Sequence, residues 1–442
     1  MLIIQGHRVV FSTGERSASI HIDNGVIVDI RNYDEIGTAA DVVDAGNCVV
    51  LPGLVDSHVH VNEPGRTDWE GFDTATRAAA AGGVTTIVDM PLNSIPATTD
   101  VAALNAKHQA ARGQSHVDVG FWGGIVPGNG DQIEPLIAAG VRGFKCFMTP
   151  SGDDEFASVS PADLERALPA LARPLARRPL LVHAEEPSLL RSPHGDPRLY
   201  STFLATRPAD AEVAAIRTVA TLAGEHHVAA HIVHVSSGDG VRAVAEAQAS
   251  GVDLTAETCP HYLTFAADAI ADGATAFKCA PPIRSSQHRE DLWSALRDGI
   301  CTVVASDHSP APRRMKHTDA GDFIAAWGGI ASLELSLRAV WTGAARRGFT
   351  LADIARWMSE GPARLCGLAD RKGAIRIGCA ADLVLFDPDA ESTVDSAVLQ
   401  QRHKLTPYAG TVLRGAVRAT YLGGVRIWDE GRLAHAGKGC LL

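Results

Sequence analysis

The chain has 442 residues, 46% of them apolar and 21% charged, with 42 Gly and 23 Pro to punctuate many short elements. That is the composition of a compact globule with a sizeable core, and a formal net charge of -11 argues against nucleic acid as the main partner, because phosphate binding needs a basic face. No run of eighteen apolar residues occurs and the start, MLIIQGHRVVF, lacks a basic leader, so the expectation is a cytoplasmic protein with no membrane-spanning helix.

Residues 1 to about 50 alternate like sheet, through LIIQGHRVVF, then SASIHIDNGVIVDI with a turn at Asp23, Asn24 and Gly25, then DAGNCVVLPG. From there the pattern changes to short β-branched runs separated by Ala-rich helical segments, the rhythm of repeated βα units. Eight runs read as strands: GLVDSHVH, VTTIVDM, VRGFKCFM, PLLVHAE, HIVHVSS, VDLTAETCP, TAFKCAPP and CTVVASDHS. Between the first two, RAAAAGG reads as a helix stopped at Gly82 and Gly83. Sheet-like alternation returns in AADLVLFDP (380 to 388) and VRATYLGGVRIWD (417 to 429). The expected fold is therefore α/β, a (β/α)8 barrel over 52–374, with a small β-sandwich built from 1–51 and 375–442. The eight cysteines form no C-x-x-C pair and read as small buried hydrophobes in a reducing compartment.

Barrels of this kind place their chemistry at the C-terminal ends of the strands, and unusual polar residues gather there. His58 and His60, two apart and so on one face of a strand, close the first run. Lys145 sits in the third, His183 ends the fourth, His234 the fifth, and Asp307 lies at the end of the eighth. Neutral imidazole and carboxylate are ligands for divalent ions of the zinc type, whereas a lysine ammonium is not. Lys145 lies in the apolar GFKCFM, where burial disfavours the ammonium; a neutral amine there can add carbon dioxide, and the resulting carbamate can bridge two cations.

Each residue also has a plainer reading. Lys145 could snorkel from the strand end to water, His183 and His234 could be hydrogen-bonded core histidines, and Asp307 could cap the following turn. Those readings have to hold at five strand ends at once, and the set as a whole points to a metal centre. Two bridged ions would lower the pKa of a shared water and polarise a carbonyl, and Asp307 would carry the proton to the leaving nitrogen. His231 has the opposite parity to His234 and reads as packing, while His261 and His308 are candidate partners of the ligands. No G-x-S-x-G elbow, Walker loop or G-x-G-x-x-G opening a helix competes.

PGLVDSHVH, GFKCFM, LLVHAE, HIVHVSS, ETCPHY, KCAPPIR and SDHSP, in that order, resemble the cyclic amidohydrolases, the group that contains dihydroorotases, hydantoinases or dihydropyrimidinases, and allantoinases. The likeness covers nearly the whole chain. It implies that His58 and His60 hold one ion with Asp307, that Lys145 bridges as an N6-carboxylated side chain, and that His183 and His234 hold the second. The resemblance narrows further, since HVHVNEPGRTDWEGF, VDMPLNSIPATT, AWGGIASLELS and RHKLTPYAGTVLRG are similar to the allantoinase branch. Dihydroorotases typically carry Arg where this chain has Asn62, and a neutral substrate needs no Arg fork. One departure is Ala311 in SDHSPAP, where many allantoinases have Cys.

The resemblance implies opening of the hydantoin ring of allantoin to give allantoate, with a hydantoinase or dihydropyrimidinase acting on another cyclic ureide as the nearest alternative and a non-catalytic scaffold as a third. It implies substrate contacts at Asn62, Asn93, Ala280, Ser309 and Gly328, with a turn role for Asn93 as the competing reading. Glu63, Arg66 and Glu70 read as a charge cluster that shapes the first loop. Two divalent ions per subunit are expected, Zn first with Mn, Co or Ni as alternatives. The expected partners are a small neutral cyclic ureide and, by the same resemblance, three further copies in a homotetramer.

Overall fold

The computed structural model describes residues 1–36, 41–172 and 178–442. Strands β1 (Leu2–Phe11), β2 (Gly14–Asp23), β3 (Val26–Arg31), β4 (Asp41–Asp44) and β5 (Val49–Pro52) open the chain. A parallel set follows: β6 (Leu54–Val59), β7 (Val84–Asp89), β8 (Asp118–Phe121), β9 (Gly123–Gly124), β10 (Phe144–Phe147), β11 (Leu180–His183), β12 (Ala230–Ile232), β13 (Leu254–Thr258) and β14 (Val303–Val304). The chain ends in β15 (Leu383–Thr393), β16 (Val412–Leu422), β17 (Val425–Asp429) and β18 (Arg432–Leu433).

Both ends of the chain meet in one sheet, ordered β18-β17-β16-β15-β5-β1-β2-β3 with β4 beside β1. The seam is β5 against β15, where Val50 faces Leu385 and Leu51 faces Val384. Alternation does the work here: Ile4, Ile20, Ile27, Val50, Leu383 and Tyr421 come from separate strands and form a core of their own.

The parallel strands run β6-β7-β8 and β9-β10-β11-β12-β13-β14. The two sets are continuous through Trp122, whose backbone N–H donates to Asp89 while that of Gly123 donates to Gly143. At the other side Val59 bridges His308 in parallel, and His60 N–H donates to the His308 carbonyl at 2.8 Å. The hydrogen-bonded order therefore returns to its first strand. These strands are buried on both faces, as parallel strands covered by helices are; all of β6, β7, β10 and β11 is buried.

The strand order differs from the sequence expectation in one place. TAFKCAPP is no strand: Thr275–Phe277 is a single 3-10 turn leading into a loop. The missing strand is DVGFWGG, β8 and β9. Its glycines lower β propensity, but the packing requires them, because a Cβ on Gly123 would lie 2.9 Å from Phe144 and one on Gly124 2.4 Å from Phe156. In consequence Lys145 belongs to the fourth parallel strand, His183 to the fifth and His234 follows the sixth.

The expected helix end at Gly82 and Gly83 holds: helix Phe72–Ala81 stops there, with Gly83 at φ +82°. Six of the eight cysteines are buried and none is disulfide-bonded among the described residues. No helix among the described residues is long and apolar enough to cross a membrane.

Candidate metal centre and substrate cleft

The side chains at the strand ends converge. His58 Nε2 lies 3.3 Å and His60 Nε2 3.5 Å from the same oxygen of Asp307, and one donor atom from each residue lies within 4.8 Å of the others. Beside them His183 Nδ1 is 3.0 Å from His234 Nε2, and the His58 and His234 rings are 5.4 Å apart. The backbone is bent to this purpose: His234 and Asp307 sit at φ +41° and +45°, in a region that non-glycine residues enter at a cost and that clusters at functional sites.

Lys145, on β10, is fully buried, its ammonium nitrogen lacking any hydrogen-bond partner and resting 4.8 Å from the centre of the Phe147 ring. Burial pushes its pKa down to about 8, against the opposing pull of Glu257 and Asp307. Its charge in turn lowers His183 and His234, for both of which burial is the larger cause. Burial alone would raise Asp307, but His58 and His60 outweigh it and hold the carboxyl at about 2, so it is ionised near neutrality.

Two buried carboxylates fix the imidazoles from behind. Glu257 accepts from His58 Nδ1 at 2.5 Å and from His231 Nε2 at 3.1 Å. Burial opposes its ionisation, yet the two histidines hold it well below the usual carboxylate range. An ionised carboxylate only accepts, so the His58 proton sits on Nδ1 and the Nε2 lone pair faces Asp307 and His60. Glu185, paired with Arg207, does the same for His183 Nε2 at 2.7 Å, leaving Nδ1 bare toward His234. Carboxylate–histidine pairs of this kind orient metal ligands.

The donor set fits divalent ions on three observations: three donors share one oxygen-centred cluster, two imidazole nitrogens face each other with the His183 tautomer fixed from behind by Glu185, and a buried amine has no hydrogen-bond partner. A second group, Cys259, His261 and Asp307, is also close enough to share an ion, but burial drives the Cys259 thiol well above its ordinary pKa and thiolate is the ligand form.

The cleft over these groups is lined by His58, His60, His183, His234 and Asp307 with Leu92, Phe147, Trp327 and Arg207, and by Asn93, Ala280, Ser309 and Gly328. Four of the five residues expected to contact substrate thus line the cleft. Asn62 stands apart: it turns at φ +65°, is buried, and points its amide nitrogen to the Pro310 carbonyl at 3.5 Å. Asn93 touches His60 as well as lining the cleft, its side chain lying 3.3 Å from the ring Nδ1.

His231 is more than packing, since it ties Thr255 to Glu257. His308 accepts from the Ser332 and Leu333 amides. His261 is buried with neither ring nitrogen bonded. Glu63, Arg66 and Glu70 do not form one cluster, because Glu63 caps Phe72 N–H, Arg66 pairs with Asp153 at 3.0 Å, and Glu70 receives Arg402 and Thr74. Glu257, Glu185 and Arg207 were not singled out from sequence; for Glu185 the available signal was its place two residues after a strand-end histidine in VHAEE, and for Glu257 a lone carboxylate inside the strand TAET.

The sequence matches the amidohydrolase family over residues 49–427. It is 49% identical over 444 residues to the allantoinase of Streptomyces avermitilis, covering 100% of this chain and 98% of that one. To the allantoinase of Arabidopsis thaliana it is 41% identical, over 99% of this chain and 89% of that one. Among solved structures it is similar to the L-hydantoinase (dihydropyrimidinase) from Arthrobacter aurescens, with a TM-score of 0.93 at 31% identity over 100% of this chain and 99% of that one. With a match of this extent and a site of this composition, the chain belongs to the amidohydrolase family.

Proposed function

We propose that the protein hydrolyses the hydantoin ring of allantoin to allantoate, and that His58, His60 and Asp307 would hold one divalent ion and His183 and His234 a second, with Lys145, once carboxylated, as a further ligand. The observation that carries the reading is the convergence of four histidines and one carboxylate on one cleft, with a fully buried lysine, lacking any hydrogen-bond partner, within electrostatic reach of His183, His234 and Asp307. When bound, such ions supply Lewis acidity, polarising the ring carbonyl and lowering the pKa of water toward neutrality.

The residues do the rest. Asp307, ionised and beside both groups, takes a proton from the attacking water and delivers it to the ring nitrogen as the amide C–N bond breaks; the carboxylic acid formed on the carbon side then loses its remaining proton to solvent. Glu257 and Glu185 hold His58 and His183 in the ligating tautomer. A carbamate on Lys145, formed from the neutral amine and carbon dioxide, would bring an anion to a place where an ammonium has no hydrogen-bond partner. Leu92, Phe147 and Trp327 give the cleft apolar walls that exclude water. Arg207 is the sole cation among its described lining residues and is neutralised by Glu185, which suits an uncharged ring.

The fold reading that goes with this is a (β/α)8 barrel over 52–374, supported by the strand order returning on itself, with a β-sandwich from 1–51 and 375–442, supported by the shared core of the terminal strands. Zinc is the proposed metal, with Mn, Co or Ni able to use the same donors. A cytoplasmic homotetramer is proposed from the family resemblance.

The second reading is a hydantoinase or dihydropyrimidinase, favoured by the structural similarity to the Arthrobacter enzyme. Rates on allantoin, hydantoin, dihydrouracil and dihydroorotate, measured with metal content on one sample, separate the two. A clear preference for a substrate other than allantoin refutes the first; an empty site after gentle purification, with no turnover, points to a scaffold.

A further inference from the structure

One wall of the cleft is held by lysines that touch no acid. Lys316 is 3% exposed, and its ammonium donates to three backbone carbonyls: Lys278 at 3.1 Å, Trp327 at 2.9 Å and Gly329 at 2.7 Å. Lys278, half-buried, donates to Ile324 at 2.9 Å and Ala326 at 2.5 Å. Neither forms an ion pair among the described residues. An ammonium has three donors, and Lys316 spends all of them on main chain. Burying a charge with no counter-ion is costly; burial brings Lys316 down to about 7 and Lys278 to about 8.

The segment they grip is also tied through Asp322, which accepts from the Ile324, Ala325 and Ala326 amides, and through the Trp327 ring against Trp69. Gly328 and Gly329 carry no side chains, and Gly329, at φ +154°, packs so closely that a Cβ would lie 2.2 Å from the Ser309 carbonyl oxygen. In a trans peptide the C=O and the following N–H point in opposite directions. With the Trp327 carbonyl turned to Lys316, the Gly328 N–H is turned away from it, and Gly328 lines the cleft. No acceptor is recorded for that N–H among the described residues, whereas its neighbours are engaged: Trp327 N–H donates to Met315 and Gly329 N–H to Lys278.

We infer that Lys316 is a positioning residue that turns the Trp327–Gly328 peptide so that the Gly328 N–H donates to a carbonyl of the bound ring, with Lys278 bracing the turn before it. The inference rests on the proposed cyclic-ureide reading and on the contact that the resemblance implies at Gly328, and adds to them the group that aims it. The contact is made in the ground state and the transition state alike, so it governs binding more than rate.

The test is Lys316→Met, which keeps length and removes the donors, alongside Lys316→Arg and Lys278→Met, all as metal-loaded full-length protein. Loss of one aimed donor is expected to raise KM for allantoin about tenfold in Lys316→Met with kcat within about threefold of wild type. Lys316→Arg, which restores a cationic donor, recovers most of the loss. Amide exchange in a peptide spanning 323–332 is expected to quicken by about tenfold or more in both Met variants while the strands are unchanged. Unchanged exchange in both overturns the clamp; quickened exchange with unchanged KM overturns the donor role. If Lys316→Met does not fold, Lys278→Met decides by the same two readouts. Wild-type protein that hydrolyses no cyclic ureide refutes the function instead, and the exchange comparison still judges the clamp.

Discussion

Glu257 is where a small change should speak most directly to the metal. It lies on β13, touches none of the proposed ions, and accepts His58 Nδ1 at 2.5 Å while also receiving His231 at 3.1 Å and the His234 amide at 3.3 Å. Glu257→Gln keeps shape and one acceptor but removes the charge that makes His58 a better donor. A hydrogen bond to a charged group contributes about 1.5–3 kcal/mol, which is roughly a 10- to 100-fold change in affinity and matches the usual effect of disturbing a ligand's outer partner. Competition with a chelator of known affinity should show one of two ions weakened by about that factor, with kcat/KM depressed at limiting metal and restored in excess. Wild-type ion affinity in Glu257→Gln would falsify the assignment of His58 as a ligand oriented by this carboxylate.

Lys145→Ala should abolish activity with far-UV circular dichroism unchanged, and a short carboxylic acid should restore part of it; full activity in the variant contradicts the bridge. Lys107 and Asp89 form a buried pair at 2.5 Å, with the other Asp89 oxygen holding Val61 N–H beside His60. Lys107→Met leaves that charge uncompensated, at a cost of about 3–5 kcal/mol, so thermal melting should fall, and Asp89→Asn in the same chain should recover part of the loss; no recovery argues against the pair. Burial raises the Glu334 carboxyl to about 7 despite the Gln400 amide and the Lys404 and Arg338 charges. The folded chain thus holds its proton above the unfolded pKa, so the associated stability is present at low pH and lost as pH rises through about 7. Glu334→Gln should match wild-type melting at pH 5 and exceed it at pH 8, and a difference independent of pH rules the effect out.

Much of this site could be read from residue type and position, because polar side chains at the ends of parallel strands sit two residues apart or directly after an apolar run. His58, His60, His183, His234 and Asp307, which the structure brings to one cleft, were legible in that way, and Lys145 as a lone charge inside an apolar strand. DVGFWGG was not, since a strand that needs glycine for the approach of Phe144 and Phe156 carries no β signal of its own. TAFKCAPP had the signal without the strand: its apolar residues pack in a turn and loop that feed Ala280 to the cleft. Arg207 and Trp327 reach the site from connecting segments, where neither periodicity nor spacing marks them. Asn62 shows the opposite limit, a residue next to the ligands in sequence whose backbone turns its side chain toward Pro310.

The seam between β5 and β15 has a consequence for synthesis on the ribosome. β5 finds β1 at once, at Arg8–Val49 and Val9–Val50, but its other edge waits for Leu383–Phe386. Until that stretch emerges, the nascent chain carries an open apolar edge, the kind that recruits a wrong partner strand. Premature termination before the last strands should therefore yield aggregated fragments, even though every proposed metal ligand would already have been translated.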